Sequence, residues 1–300
     1  MRALITGGRG FVGNWLAAHL RDQGDDVVAI DLETDVADQA ALGPVVAEAA
    51  PEAIYHLAAR THVGESWQQP AEVLRVNVLG TAAVLAAARQ LPTTPTVLVV
   101  SSAEVYGVVT PGDLPLTEDS PVAPATPYAA SKAAAEQVAL QAWRGYGQPV
   151  IVVRPFNHVG PGQGPNFAVS ALARRIVEAR RTGATEMAVG TLTSRRDFTD
   201  VRDVVLGYRL LVEQGVPGTV YNICSGQDVA ISDIADRLLS LAGAQFRLVT
   251  DPDLVRPVDV PVLRGDPSRL EAATGWKPAI PLEDTLADVL DYWEAQPASA

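Results

Sequence analysis

Apolar positions follow two rhythms along the first half of the chain. The short runs "RALIT", "DVVAID", "AIYHLAA", "TVLVVSS" and "PVIVVRP" are rich in Val, Ile and Ala without polar alternation, which predicts strands buried on both faces. Between them lie segments with helical spacing: "VGNWLAAHLRDQG", stopping at Gly24, then "DQAALGPVVAEA", "VNVLGTAAVLAAARQL" and the alanine-rich "TPYAASKAAAE". Alternation of strand and helix at this rhythm predicts an α/β fold with a doubly wound parallel sheet of the Rossmann kind.

After Pro155 the texture changes. "FNHVGPGQGPNF" reads as a Gly/Pro-rich loop of the sort that carries function. A helix "VSALARRIVEARRTG" follows, then "TSRRDFTDVRDVVLGYRLL" with a helical second part, a strand in "GTVYNICSG" and a helix "SDIADRLLSLAG" with Ser232 as its N-cap. An amphipathic helix begins at about Leu282. The expected division is a dinucleotide-binding unit over 1–157, completed by segments near 199–224, and a smaller, mainly substrate-binding lobe over 158–300.

The composition narrows the partners. A formal charge of −12 on 300 residues argues against a nonspecific nucleic-acid binder, while leaving room for phosphates held locally by helix N-termini and arginines. Cys224 has no second cysteine to pair with, which fits a reducing compartment. The opening "MRALITGGRG" does not resemble a secretory leader, and no apolar stretch is read as long enough to cross a membrane. The expectation is a soluble, cytoplasmic protein with no nucleic-acid or membrane partner. The histidines at 19, 56, 62 and 158 show no metal-ligand spacing, so no metal is expected.

The first chemical signal is "TGGRGFVG". Gly7, Gly10 and Gly13 fall between a predicted strand and helix, where glycines allow a tight turn and close approach of a pyrophosphate to a helix N-terminus. Asp31 ends the next strand and is placed to bind adenosine ribose hydroxyls, favouring NAD(H); Arg9 suits a 2′-phosphate and pulls toward NADP(H). The balance leans slightly to NAD(H). Asp35 and Val36 are placed to cap the adenine.

The second signal is Tyr128 and Lys132, four residues apart and therefore on one helix face. "SSAEVYG" precedes them at the carboxyl end of a strand, where open α/β sheets gather their chemistry, and presents Ser101, Ser102 and Glu104. A phenol with an ordinary pKa of about 10 is a poor acid at neutral pH. A neighbouring ammonium and the nicotinamide charge are expected to bring it down. Ser102 would hydrogen-bond the reacting oxygen.

Together, "TGGRGFVG", "HLAARTHVGESW", "NVLGT", "SSAEVYG", "YAASK" and "RPFNHVGPGQ" resemble the extended short-chain dehydrogenases/reductases that modify nucleotide sugars. The later "RRDFTDVRDVV", "VYNICSG" and "RPVDVPVLRGD…TGWKPAIPLEDTL" are similar to the branch holding GDP-mannose 4,6-dehydratases and GDP-4-keto-6-deoxy-mannose reductases. The resemblance runs nearly end to end. It implies an NAD(P)-dependent enzyme with Ser102, Tyr128 and Lys132 as catalytic residues and Glu104 as an available base. Phe11, Val12, Leu57, Ala58 and Ala59 would join the glycines around the cofactor. Asn157, Asn166, the backbone near Val189 to Thr191, Arg196 and Arg256 would hold a nucleotide sugar, GDP-linked substrates being those of the branch, and His62, Ser66 and His158 are equally suited to sugar contact or packing. It also implies a homodimer paired through the helices of "YAASK" and "VNVLGTAAVLAAARQL".

Ala103 stands where many sugar-nucleotide dehydratases carry an acid beside the glutamate and where the GDP-mannose dehydratases carry a small hydroxyl residue, so it suggests a reductase without deciding it. "DLETDVAD" replaces their basic loop after the second strand, and "GPGQGPNF" replaces a "PRR" segment. These departures favour a 4-ketoreductase that forms GDP-D-rhamnose. A 4,6-dehydratase, a 4-epimerase with tightly held NAD, and a noncatalytic nucleotide sensor are the alternatives.

Overall fold

The computed structural model describes residues 1–254 and 260–297. Its main sheet is wholly parallel, in the order β2-β1-β3-β4-β5-β9, with β1 Arg2–Thr6, β2 Asp26–Ile30, β3 Ala53–His56, β4 Thr96–Val100, β5 Val150–Pro155 and β9 Val220–Ile223. Both faces are covered, which explains the unbroken apolar runs. Ala3 and Ile5 of β1, Tyr55 of β3 and Ile151 and Val153 of β5 face one core with α1 (Phe11–Asp22) and α8 (Val201–Gln214). The intervening Leu4, Ile54, Val150 and Val152 face the other, with α2 (Gln39–Ala49), α5 (Gly80–Arg89) and α6 (Pro127–Tyr146). The period of two along each strand therefore feeds two hydrophobic cores at once.

After His56 two short helices, α3 (Val63–Gln68) and α4 (Pro70–Leu74), lead through a π-helical turn, Arg75–Leu79, straight into α5. Within the continuous helix Pro70–Arg89, 20 residues long, an 18-residue window has a mean hydropathy of 1.5, so by length and composition it does reach a membrane-spanning stretch, contrary to the sequence expectation. Half of that window is buried inside the fold, against α2 and α6, which accounts for its apolar content as a core helix.

The later chain builds a smaller layer from β6 (Asn157–Val159), α7 (Ala168–Thr182), β7 (Glu186–Val189), β8 (Arg195–Asp200), β10 (Asp228–Ala230), α9 (Ile231–Leu241), β11 (Arg247–Thr250), β12 (Val262–Leu263), α10 (Ser268–Thr274) and α11 (Leu282–Ala295). Strand β8 pairs with β10, β12 and β6, and β7 pairs with β11. Leu172 and Ile176 of α7, Ile234 and Leu238 of α9 and Leu286 of α11 fill its core. Two local expectations change. "RRDFTD" forms β8, a strand the sequence pattern did not announce. Ser232 is not the N-cap of α9; Ala230 is, because it is still paired in β10, and the Ser232 amide donates to the Leu192 carbonyl at 2.9 Å.

Candidate active site

The chain crosses from β2 at the sheet edge, over β1, to β3, so a crevice opens at the carboxyl ends of β1 and β3. A cavity of about 1600 Å³ extends from this crevice to the loops of the later layer.

The glycine loop forms its floor. Gly7 has φ +73°, and a Cβ there would lie 2.8 Å from the Ala58 amide nitrogen. A Cβ on Gly13 would lie 2.2 Å from the Gly7 carbonyl oxygen, and Gly10 caps α1 with no side chain over the helix end. The amides of a first helical turn lack partners within the helix. This bare N-terminus, with a loop too tight for any Cβ at two positions, fits the diphosphate of a dinucleotide. Gly13→Ala is expected to abolish measurable coenzyme binding in a fluorescence titration; binding at wild-type affinity would contradict a close-packed loop.

Around the loop, the Asp31 carboxylate accepts the Arg9 amide at 2.8 Å and the Leu32 amide at 2.9 Å. Phe11, Val12, Leu57, Ala58 and Ala59 line the cavity, as do Asp35 and Val36. Asp35 is committed to Arg75 of the π turn at 2.7 Å and to the Ala37 amide, and Val36 is buried against Gly80. Below them Thr6, His56 and Thr81 form a buried chain, with His56 Nδ1 2.8 Å from Thr6 Oγ1 and Nε2 3.1 Å from Thr81 Oγ1. Burial, then the Lys132 charge, lowers the His56 pKa to about 3, so this histidine is a neutral structural link.

Ser102, Glu104, Tyr128 and Lys132 all reach the cavity. Ser102 caps the 3₁₀ turn Ala103–Tyr106, its Oγ accepting the Glu104 amide at 3.2 Å. Tyr128 and Lys132 sit in the first two turns of α6, whose N-cap Thr126 accepts the Ala129 amide at 3.0 Å and whose first position is Pro127. The Lys132 ammonium does not supply the lowering expected of it at Tyr128. Burial pushes the phenol up to about 12, a hydrogen bond with Ser102 opposes this and the Glu104 charge adds to it. The Lys132 ammonium is turned instead to the Val100 carbonyl, 2.7 Å away. Burial lowers Lys132 to about 8, against the supporting charge of Glu136 one turn on. At neutral pH the pair is therefore a protonated phenol beside an ammonium, an arrangement suited to donating a proton.

Behind this pair lies a network the sequence did not announce. Ser101 Oγ donates to Glu136 Oε1 at 2.5 Å, and Arg154 grips both oxygens of Glu136 at 2.9 and 2.8 Å. Arg154 also donates to the Tyr106 hydroxyl at 3.1 Å, which donates to Asn222 Oδ1 at 2.6 Å. Asn77, inside the π turn, accepts the Arg60 amide at 2.8 Å and donates to Ser131 Oγ at 2.8 Å, tying the loop after β3 to α6. "NVLGT" carries part of the family likeness, but the pairing of its Asn77 with Ser131 has no local signal.

On the far wall, Asn157 and Asn166 line the cavity at the start of β6 and just before α7. His158 stacks on Phe11 with centroids 6.1 Å apart and joins the lining, as does His62, whose Nδ1 accepts the Glu65 amide. Ser66 is buried and donates to Val63 O at 2.6 Å, a packing role within α3. Val189 does not line the cavity. Its side chain lies in the core of the later layer and its carbonyl accepts the Asp251 amide at 2.9 Å, because the alternation along β7 points it inward; Gly190, Thr191 and Leu192 form the wall instead. Arg196 is buried at the cavity and donates to the Arg195 and Val260 carbonyls at 2.8 and 2.6 Å. Arg175 of α7, which no motif in the sequence marks, also reaches it. Arg256 lies outside the described residues.

The sequence model of the family described as GDP-mannose 4,6 dehydratase matches residues 32–289. The chain belongs to this family. The GDP-6-deoxy-D-mannose reductase of Pseudomonas aeruginosa is 37% identical over 298 residues, covering 98% of each chain. A UDP-glucose 4-epimerase of Mycolicibacterium smegmatis is 31% identical, again over 98% of both. Among solved structures, RMD from Pseudomonas aeruginosa complexed with NADPH superposes with a TM-score of 0.91 at 37% identity, covering 98% of this chain and 99% of that one. Solved structures of a UDP-glucose 4-epimerase and a dTDP-glucose 4,6-dehydratase share the fold seen here.

Proposed function

We propose that this chain is an NAD(P)H-dependent nucleotide-sugar 4-ketoreductase that converts GDP-4-keto-6-deoxy-D-mannose to GDP-D-rhamnose. The observation that carries the reading is the buried Tyr128 in one cavity with Ser102, Lys132 and the glycine loop. Bound NAD(P)H would supply the hydride. Ser102 would orient the sugar carbonyl, Tyr128 would give its phenolic proton to the oxygen as negative charge develops there, and Lys132 would hold the nicotinamide ribose and offset that charge. Asn157, Asn166, Arg175 and Arg196 would face the nucleotide diphosphate and base, with guanidinium groups suited to phosphate oxygens. Arg256 belongs to this proposal on its sequence context alone.

The likeness to the Pseudomonas reductase, over 98% of each chain, supports a reductase over its relatives. Glu104 at the cavity is the observation that favours the second reading, a GDP-mannose 4,6-dehydratase, since elimination needs a base. A homodimer is part of the proposal: Leu79 on the π turn and Tyr146 on α6, 56% and 60% exposed, are apolar positions on the two pairing helices. Incubation with reduced coenzyme and GDP-4-keto-6-deoxy-mannose should consume coenzyme mole for mole. No consumption, with GDP-mannose turned into the keto sugar, would replace the reductase by the dehydratase.

A further inference from the structure

Glu33 takes no part in the chemistry above, yet it is wired into the glycine loop. It stands after β2 between Leu32 and Thr34, both of which line the cavity. One carboxylate oxygen pairs with the Arg9 guanidinium, and the other accepts the Asp31 amide at 2.9 Å. Asp31 in turn accepts the Arg9 amide at 2.8 Å. Two carboxylates and one guanidinium thus close a ring at the point where the strand end meets the loop. Hydrogen bonds from the Glu33 and Asp31 amides, then the Arg9 charge, hold the Glu33 carboxyl below the usual range.

A coenzyme whose adenosine ribose meets Asp31 would bring its 2′ position to this ring. An arginine freed from its partner is a bidentate ligand for a 2′-phosphate, whereas one already paired is not. We propose that Glu33 is a latch on Arg9 that sets coenzyme preference: it occupies the guanidinium a 2′-phosphate needs and adds its charge to that of Asp31, so the site takes NADH over NADPH. The inference rests on the dinucleotide reading of the glycine loop. Because Arg9 and Glu33 are 66% and 48% exposed, the discrimination is screened by salt and narrows as ionic strength rises.

The test is equilibrium binding of NADH and of NADPH, followed by nicotinamide fluorescence, to the wild type, Glu33→Gln, Arg9→Ala and the double variant. The wild type should bind NADH more tightly. Glu33→Gln should tighten NADPH by roughly tenfold with little change for NADH, and adding Arg9→Ala should cancel that gain. An unchanged NADPH affinity in Glu33→Gln, a gain that survives Arg9→Ala, or a wild type that prefers NADPH would each overturn the latch. Failure of the wild type to bind either coenzyme would instead overturn the dinucleotide reading on which it rests.

Discussion

Tyr128→Phe is expected to lower the rate of keto-sugar reduction by roughly 10³-fold while leaving coenzyme affinity near that of the wild type. The substitution removes one hydroxyl from a buried ring and keeps the packing of α6, so the protein should fold as before. What it removes is the proton that must reach the oxygen as charge develops there. Burial holds that proton on the phenol at working pH, with a pKa near 12, so the wild type needs no prior uptake from solvent. Steady-state rates and a coenzyme titration on the same preparation separate the two effects. A rate within a few-fold of the wild type would remove Tyr128 from the chemistry.

Glu136→Gln should have the largest effect on stability. Glu136 and Arg154 are almost fully buried, their side chains 1% and 5% exposed, and the carboxylate is the charge that balances the guanidinium. Breaking a buried pair leaves the remaining ion uncompensated and costs about 3–5 kcal/mol. For a chain of this size that corresponds to a drop of roughly 10 °C in the thermal midpoint. The same variant reads out on catalysis. Lys132 carries its proton below about pH 8 and loses it above, so activity that needs the ammonium is present below that value and falls as pH rises through it. Glu136 supports the charged form, so its neutralisation should move this alkaline limb to lower pH. Calorimetry and a pH profile of kcat/KM check the two halves. An unmoved limb would confine Glu136 to a structural role.

The features legible in the sequence were those written locally. The glycine loop needs three glycines within seven residues between a strand and a helix, and Tyr128 and Lys132 need one helix face; both signals lie inside a single element. The apolar runs of β1, β3, β4 and β5 announced a sheet buried on both faces for the same reason. What stayed hidden depends on partners brought together by the fold. Glu136 looks like a helix surface residue until Arg154 of β5 and Ser101 after β4 close on it. Glu33 reads as one more loop carboxylate until the turn brings it to Arg9. The Lys132 charge was expected to reach Tyr128, because spacing on a helix gives a shared face but not the direction of a long side chain; the Val100 carbonyl takes it instead. The backbone near Val189 to Thr191 was expected to line the base; strand alternation turns the Val189 side chain into the core, and Gly190 and Thr191 lie on the cavity wall. Strand β8 escaped notice because arginines and aspartates fill it, and their burial follows from pairing with β10 and β12 rather than from hydrophobic pattern.

The most direct measurement is the fate of deuterium from NAD(P)H labelled at the transferring position of the nicotinamide. With GDP-4-keto-6-deoxy-mannose as substrate, the account predicts a reduced GDP-deoxyhexose carrying the label at C4, one deuterium for each coenzyme oxidised. An unlabelled sugar with the coenzyme unchanged, alongside loss of water from GDP-mannose, would contradict it.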